Sequence, residues 1–385
     1  MAMNATQLPW HAAPYYREEH WTPAPPGTLP YFTGALVFAT LLYVFDTYLD
    51  WRQHCKFHES TFPPRLEAAI RGLGDFTVKT SAKGKDEDDQ SDAAKDKVDD
   101  DAGEEKKKSL IEATLEKFDK SRAYGLDKST FGFVSGAYSQ IESTALLLLG
   151  YLPFMWTVSG RALEYLGVDP SHEVYRTLML LTLTTIRDTI VGLPFALYST
   201  FVIEARHGFN KQTLMLFFTD KLKTFMLFVV IGYPVVAALI YVIRWGGELF
   251  YLYVWVFLFI FSIVMITIVP VFIMPLFNKF TPLEEGELRS RIEALASSLN
   301  FPLTKLFVVD GSKRSSHSNA YFFGFFKSKR IVLYDTLLEQ ATHDEIVAVL
   351  GHELGHWKLW HTMQGFLIQQ GLHVRSVLRL RFVYE

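Results

Sequence analysis

Apolar and polar positions in this chain fall into long blocks. Five apolar runs, Tyr31–Tyr48, Val134–Val158, Leu178–Ile203, Thr224–Ile243 and Leu249–Ile273, each approach the ~20 residues an α-helix needs to cross ~30 Å of hydrocarbon. The first is slightly short and carries Asp46, whereas Phe225–Ile243 and Leu249–Ile273 contain no charge. The pattern predicts an α-helical polytopic membrane protein with membrane helices one to five over 31–273. After Ile273 the period changes. Glu284–Leu299 puts Leu288, Ile292, Leu295 and Leu299 on one helical face. Lys305–Val309 reads as a strand ending at Asp310-Gly311. Ala320–Phe326 and Arg330–Tyr334 read as two extended pieces separated by Lys327-Ser328-Lys329. A sixth apolar helix begins near Thr342, so the expectation is five to six membrane helices with a small helix-plus-β-hairpin unit over 274–362.

Composition agrees with the pattern. The chain is 49% hydrophobic, 15% aromatic and 21% charged, where soluble domains run at about 25% charged. The single cysteine, Cys55, forbids an internal disulfide; beside a membrane end it reads as a free thiol or a palmitoylation site. A net charge of −3 gives no reason to expect a nucleic acid partner and leaves membrane lipid as the surroundings. The stretch 81–108 has no aromatic residue and nothing apolar larger than Val98, so it is expected to be a disordered charged insertion. It holds 11 of the 41 acidic and 7 of the 38 basic residues, which makes the rest of the chain nearly neutral. Residues 1–30 lack the basic start of a signal peptide. Lys and Arg crowd the loops after spans one, three and five. That places the segment 1–30 on the non-cytosolic side and the unit after span five toward the cytosol.

The candidate chemistry sits on the sixth helix, in His352-Glu353-Leu354-Gly355-His356. Histidines four apart lie about 40° apart around a helix, so both rings can reach one metal ion. Glu353 faces the same hemisphere and can take a proton from water activated by Zn²⁺ as that water attacks a peptide carbonyl. Thr342-His343-Asp344-Glu345 fits a capping box at the helix start. His352 and His356 are thus the candidate metal ligands and Glu353 the candidate catalytic base.

Around this motif the sequence resembles a known family. Ser318–Phe325 (SNAYFFGF), Lys329–Leu338 (KRIVLYDTLL) and Val349–Lys358 (VLGHELGHWK), with Tyr48–Gln53 (YLDWRQ) and Ile203–Lys211 (IEARHGFNK), resemble the type I CAAX prenyl proteases, integral-membrane zinc metalloproteases of the endoplasmic reticulum. The likeness runs from about Phe32 to Thr362, interrupted by the charged insertion. It implies seven membrane helices around a hollow chamber, one Zn²⁺ per chain, and residence in the endoplasmic reticulum membrane with the metalloprotease unit toward the cytosol. The implied reaction removes the three residues after a prenylated cysteine in CAAX protein substrates. In zinc proteases with this motif an edge strand pairs with the extended substrate. Asn319–Phe326 is the candidate strand, with Asn319 either bonding substrate backbone or capping a turn. His317 reads as an exposed loop histidine. Arg187 and Asp188, inside span three, either pair as structural glue or line the chamber.

The resemblance also implies a third zinc ligand, a glutamate in a helix well downstream of the second histidine. This chain ends 29 residues after His356, and in Gly365–Glu385 the only acidic residue is Glu385. His361 would lie about 140° around a continuous helix from His356 and point away. His373 and Glu385 would reach the motif only if the tail folded back. Residues 363–385 are therefore expected to be a divergent C-terminal tail. The alternative to an active protease is a catalytically impaired, C-terminally truncated form that keeps the membrane chamber and binds zinc weakly. A transporter built on Arg187 and Asp188 should show hydropathy repeats between halves, and none is visible.

Overall fold

The computed structural model describes residues 31–73, 77–79, 107–325 and 328–384. The N-terminal segment 1–30 and residues 81–106 of the charged insertion lie outside the described residues, as do Phe326 and Lys327. The chain divides into two compact units, Met1–Tyr151 and Leu152–Glu385.

In the first unit, α1 (Tyr31–His58) runs ten residues past the predicted span and packs against α3 (Leu110–Leu148), with α2 (Pro64–Gly72) also on α3. Large apolar side chains of α1 point outward; Phe38 and Leu41 are each 62% exposed. An apolar surface of that kind suits lipid and would be costly in water. Two short strands, β1 (Thr77–Lys79) and β2 (Lys107–Ser109), pair antiparallel, Val78 opposite Lys108. Lys107 and Lys108, assigned from sequence to the disordered insertion, thus belong to its paired stem, because backbone pairing needs no apolar side chain. Ser109 then caps α3, its Oγ accepting from Glu112 N at 3.3 Å.

The expected span Val134–Val158 is interrupted: α3 stops at Leu148, Gly150 has φ 66°, and α4 (Tyr151–Tyr165) follows. In the second unit, α5 (Glu173–Tyr198) continues through a π-helical turn to Glu204 as one apolar span. The helical path Leu214–Phe277 has 64 residues, about 96 Å at 1.5 Å per residue and some three times a bilayer core. It contains α6 (Leu214–Leu227), α7 (Tyr233–Gly246), α8 (Phe250–Ile268) and the short α9 (Met274–Phe277). A tight turn at Gly247–Leu249 folds α7 against α8. Among the described residues three stretches are long and apolar enough to cross a membrane, or up to four with the pair Leu110–Leu148 and Tyr151–Tyr165. Arg187 and Asp188 pair with each other on α5, Nη1 to Oδ1 at 2.9 Å.

The rest of the second unit is a four-stranded sheet covered by helices. Its strands are β3 (Phe280–Pro282), β4 (Leu303–Val309), β5 (Ala320–Phe325) and β6 (Ser328–Tyr334), in the order β3-β4-β6-β5. The predicted hairpin is the antiparallel β5–β6 pair; its partner β4 runs parallel to β6, with β3 antiparallel to β4. The hairpin turn demands glycine at 324, where φ is 121° and a Cβ would lie 2.0 Å from Ser328 O. The helices α10 (Glu287–Ser298), α11 (Asp335–Gln340) and α12 (His343–Lys358) complete the unit. Leu288, Ile292 and Ala296 of α10 meet Ile331 and Leu333 of β6 and Ile346, Leu350 and Leu354 of α12 in one core. The apolar helix predicted near Thr342 is α12, its apolar stripe inside this core. The stretch set apart as a tail forms a further helix, α13 (His361–Tyr384), which packs on α8 with Phe366 5.8 Å from Phe259 between ring centroids.

Candidate active site

The site is built by the register of α12. Thr342 accepts from Glu345 N at 3.4 Å while the Glu345 carboxylate accepts from Thr342 N at 2.8 Å, the reciprocal capping box expected from the sequence. With the start fixed, Ile346, Leu350 and Leu354 face the core. Residues two positions further on lie about 200° around the helix, so His352 and His356 turn away from that core.

Their rings stand 4.7 Å apart at 84°, with Nε2 to Nε2 at 3.0 Å. Two imidazoles sharing a tetrahedral ion at about 2.0–2.1 Å have their nitrogens about 3.3–3.4 Å apart. The pair is therefore within a few tenths of an ångström of a shared cation's span, and neutral imidazole is a suitable ligand for zinc. Glu353, half-buried, lies between them in sequence.

The structure departs from the sequence expectation at His361. α12 stops at Lys358, Trp360 adopts φ 61°, and α13 restarts at His361. The break swings His361 back so that its Nδ1 lies 2.7 Å from Nδ1 of His356. His356 is thus held on both ring nitrogens, by His352 at one and His361 at the other. When His361 accepts the Nδ1–H of His356, the lone pair of His356 Nε2 faces His352, the tautomer a metal ligand needs. His373, further along α13, has a buried Nδ1 that finds no hydrogen-bond partner among the described residues. Among the described residues no group of three His, Cys, Asp or Glu side chains is placed to hold a metal ion.

Beside α12 runs β5, one of the two edge strands of the sheet. Asn319 uses its side-chain oxygen locally, accepting from Ala320 N at 2.8 Å, and its backbone oxygen accepts from Tyr334 N at 3.0 Å. That is the strand-capping arrangement. Tyr321 and Phe323 stack on the face of β5 away from the core, and burial, with Tyr334 second, pushes the Tyr321 phenol well above its usual range. Burial also lowers Lys329, whose Nζ donates to Gly324 O at 2.6 Å across the hairpin.

A set of anchoring residues escaped the sequence reading. Arg314 forks onto Asp220 of α6, Nε to Oδ2 at 2.7 Å and Nη2 to Oδ1 at 3.0 Å, and also reaches Asn278 Oδ1 and Phe277 O. Lys211 N donates to Arg314 O and Ser316 N to Phe209 O, each at 3.0 Å. His317 stacks on Phe209 at 4.3 Å and lies 3.3 Å from Glu204 Oε2. The segment Ile203–Lys211 after α5 thereby grips the loop that leads into β5. The partners are about a hundred residues apart, and only the charged residues flanking the apolar runs hinted at such a clamp.

Comparison with known proteins bears on these features together. Residues 105–279 match a family described as CAAX prenyl protease N-terminal, five membrane helices, and residues 282–384 match peptidase family M48. The second match includes most of the stretch 363–385 and all of α12. The CAAX prenyl protease 1 homolog of Arabidopsis thaliana is 47% identical over 343 residues, covering 89% of this chain and 71% of its own length. The human CAAX prenyl protease 1 homolog is 47% identical over 292 residues, covering 66% of this chain and 62% of its own length. The crystal structure of S. mikatae Ste24p superposes with a TM-score of 0.74 at 36% identity, covering 90% of this chain and 71% of that one.

Proposed function

The chain belongs to the CAAX prenyl protease family, and on that premise we propose how its residues carry out the reaction. It is a multi-pass membrane metalloprotease that acts on CAAX proteins, removing the three residues after the prenylated cysteine. The comparisons favour this reading, and nothing in them favours the impaired alternative. The observation that carries it is the facing pair His352 and His356, 3.0 Å apart at Nε2, with Glu353 between them and the edge strand β5 alongside.

His352 and His356 would hold one Zn²⁺ per chain, their facing Nε2 atoms supplying two of its ligands. When bound, that ion supplies Lewis acidity, lowering the pKa of water and polarising the scissile carbonyl. Glu353 takes the proton of the attacking water and delivers it to the leaving amine. The free edge of β5 pairs with the extended C-terminal peptide and holds it across α12. Asn319 supports this edge by capping its first residue. The apolar helices keep the prenyl group and the protease unit in one bilayer, that of the endoplasmic reticulum, with the site open toward the cytosol.

The test is direct. Purified full chain, loaded with Zn²⁺ in detergent micelles, should release the terminal tripeptide from a farnesylated CAAX peptide and leave the unprenylated peptide intact. No release, or equal cleavage of both peptides, would overturn the reading.

A further inference from the structure

A second pair of histidines with the same spacing lies in the other unit, at the end of α1. His54 and His58 are four residues apart, their rings 4.8 Å apart at 76°, with Nε2 to Nε2 at 3.1 Å. The pair is oriented from outside its own helix. Oγ of Ser129 on α3 lies 2.6 Å from Nδ1 of His54 and 3.1 Å from Leu126 O, so a hydroxyl that donates to Leu126 O can accept from Nδ1–H of His54. When Nδ1 of His54 carries the proton toward Ser129, the lone pair of its Nε2 faces His58. Phe133, edge-on at 5.4 Å, fixes the ring from the side. This is the outer-shell arrangement that orients a histidine for a metal: the remote nitrogen hydrogen-bonded and the near nitrogen turned toward its partner imidazole.

The surroundings favour a cation. His58 closes α1, where the helix dipole presents its negative end. Lys56, between the two histidines in sequence, turns to Glu59 at 2.7 Å. His54 is half-buried and His58 exposed, so an ion can enter from solvent and complete its shell with water.

We propose that His54 and His58 form a second metal-binding site, taking a borderline divalent cation such as Zn²⁺ or Ni²⁺, with Ser129 as its positioning residue. Nothing in the proposed protease chemistry uses these side chains, and the site stands whether or not the chain cleaves CAAX peptides.

The experiment uses the full chain in detergent micelles carrying His352→Ala and His356→Ala, which removes the other facing pair. Zn²⁺ alone is titrated calorimetrically. One equivalent is expected to bind, to raise the thermal midpoint, and to vanish on adding His58→Ala. His58→Gln should likewise abolish the zinc-induced rise while leaving the metal-free midpoint where it was, which separates ligand loss from misfolding. Ser129→Ala should weaken binding about 10-fold or more, the usual cost of removing a metal ligand's outer-shell partner. No zinc bound in the starting chain, or binding that survives His58→Ala, would overturn the site. Unchanged affinity in Ser129→Ala would overturn the positioning role.

Discussion

The two histidine pairs invite comparison because their geometry is so alike. His54 and His58 approach to 3.1 Å, His352 and His356 to 3.0 Å, each four residues apart on a helix. What differs is the setting. The first pair has Cys55-Lys56-Phe57 between its members and a serine hydroxyl behind it. The second has a carboxylate next to its first histidine, an edge strand beside its helix and a third imidazole behind it. Helical spacing alone brings two imidazoles together wherever it occurs. Peptide hydrolysis needs in addition a base and a surface that holds an extended chain. The proposed protease chemistry therefore rests on Glu353 and β5 as much as on the histidines.

The largest effect should come from the residue that separates the pairs. Glu353→Gln should lower cleavage of the farnesylated peptide about 10²–10⁴-fold, the usual contribution of a positioned general base, with zinc content unchanged. Activity near that of the parent chain would remove Glu353 from the base role and dissolve the distinction. Next comes the support beneath the site. Leu350, on the core face of α12, is 1% exposed, and Leu350→Ala should cost about 2–5 kcal/mol. Leu41→Ala on the outward face of α1 should cost within about 0.5 kcal/mol. Thermal midpoints of the two variants in the same detergent decide it; equal losses would mean that α1 is packed as a protein core.

A smaller effect belongs to His361. If it orients His356, His361→Ala should weaken zinc retention about 10-fold against a competing chelator. Retention equal to that of the parent would reduce the contact to incidental packing. This residue also marks where the sequence stopped being legible. The motif, its capping box, the amphipathic α10 and the hairpin were readable because each rests on side-chain periodicity or on a local cap. The break before His361 was not, since Leu359-Trp360 contains neither glycine nor proline and a continuous helix would have aimed the ring away. The parallel pairing of β4 with β6, and the fork of Arg314 onto Asp220 across 94 residues, were hidden for another reason. They depend on contacts between distant segments that no local pattern encodes. The stem Lys107–Ser109 escaped because backbone pairing of its strands leaves no apolar pattern in the sequence.

The smallest expected effect is none, and it bears hardest on the comparison. In a chain whose protease pair is removed by His352→Ala and His356→Ala, Cys55→Glu converts the α1 pair into a second H-E-x-x-H. The spacing, the facing nitrogens and a carboxylate would then all be present at the end of α1. The strands of that unit among the described residues are the two short ones, β1 and β2, far shorter than the six-residue edge that β5 offers along α12. The variant should bind zinc and yet release no tripeptide from the farnesylated peptide. Release above the level of the parent double variant would show that motif and metal suffice without the edge strand, and the assignment of substrate binding to β5 would fall with it.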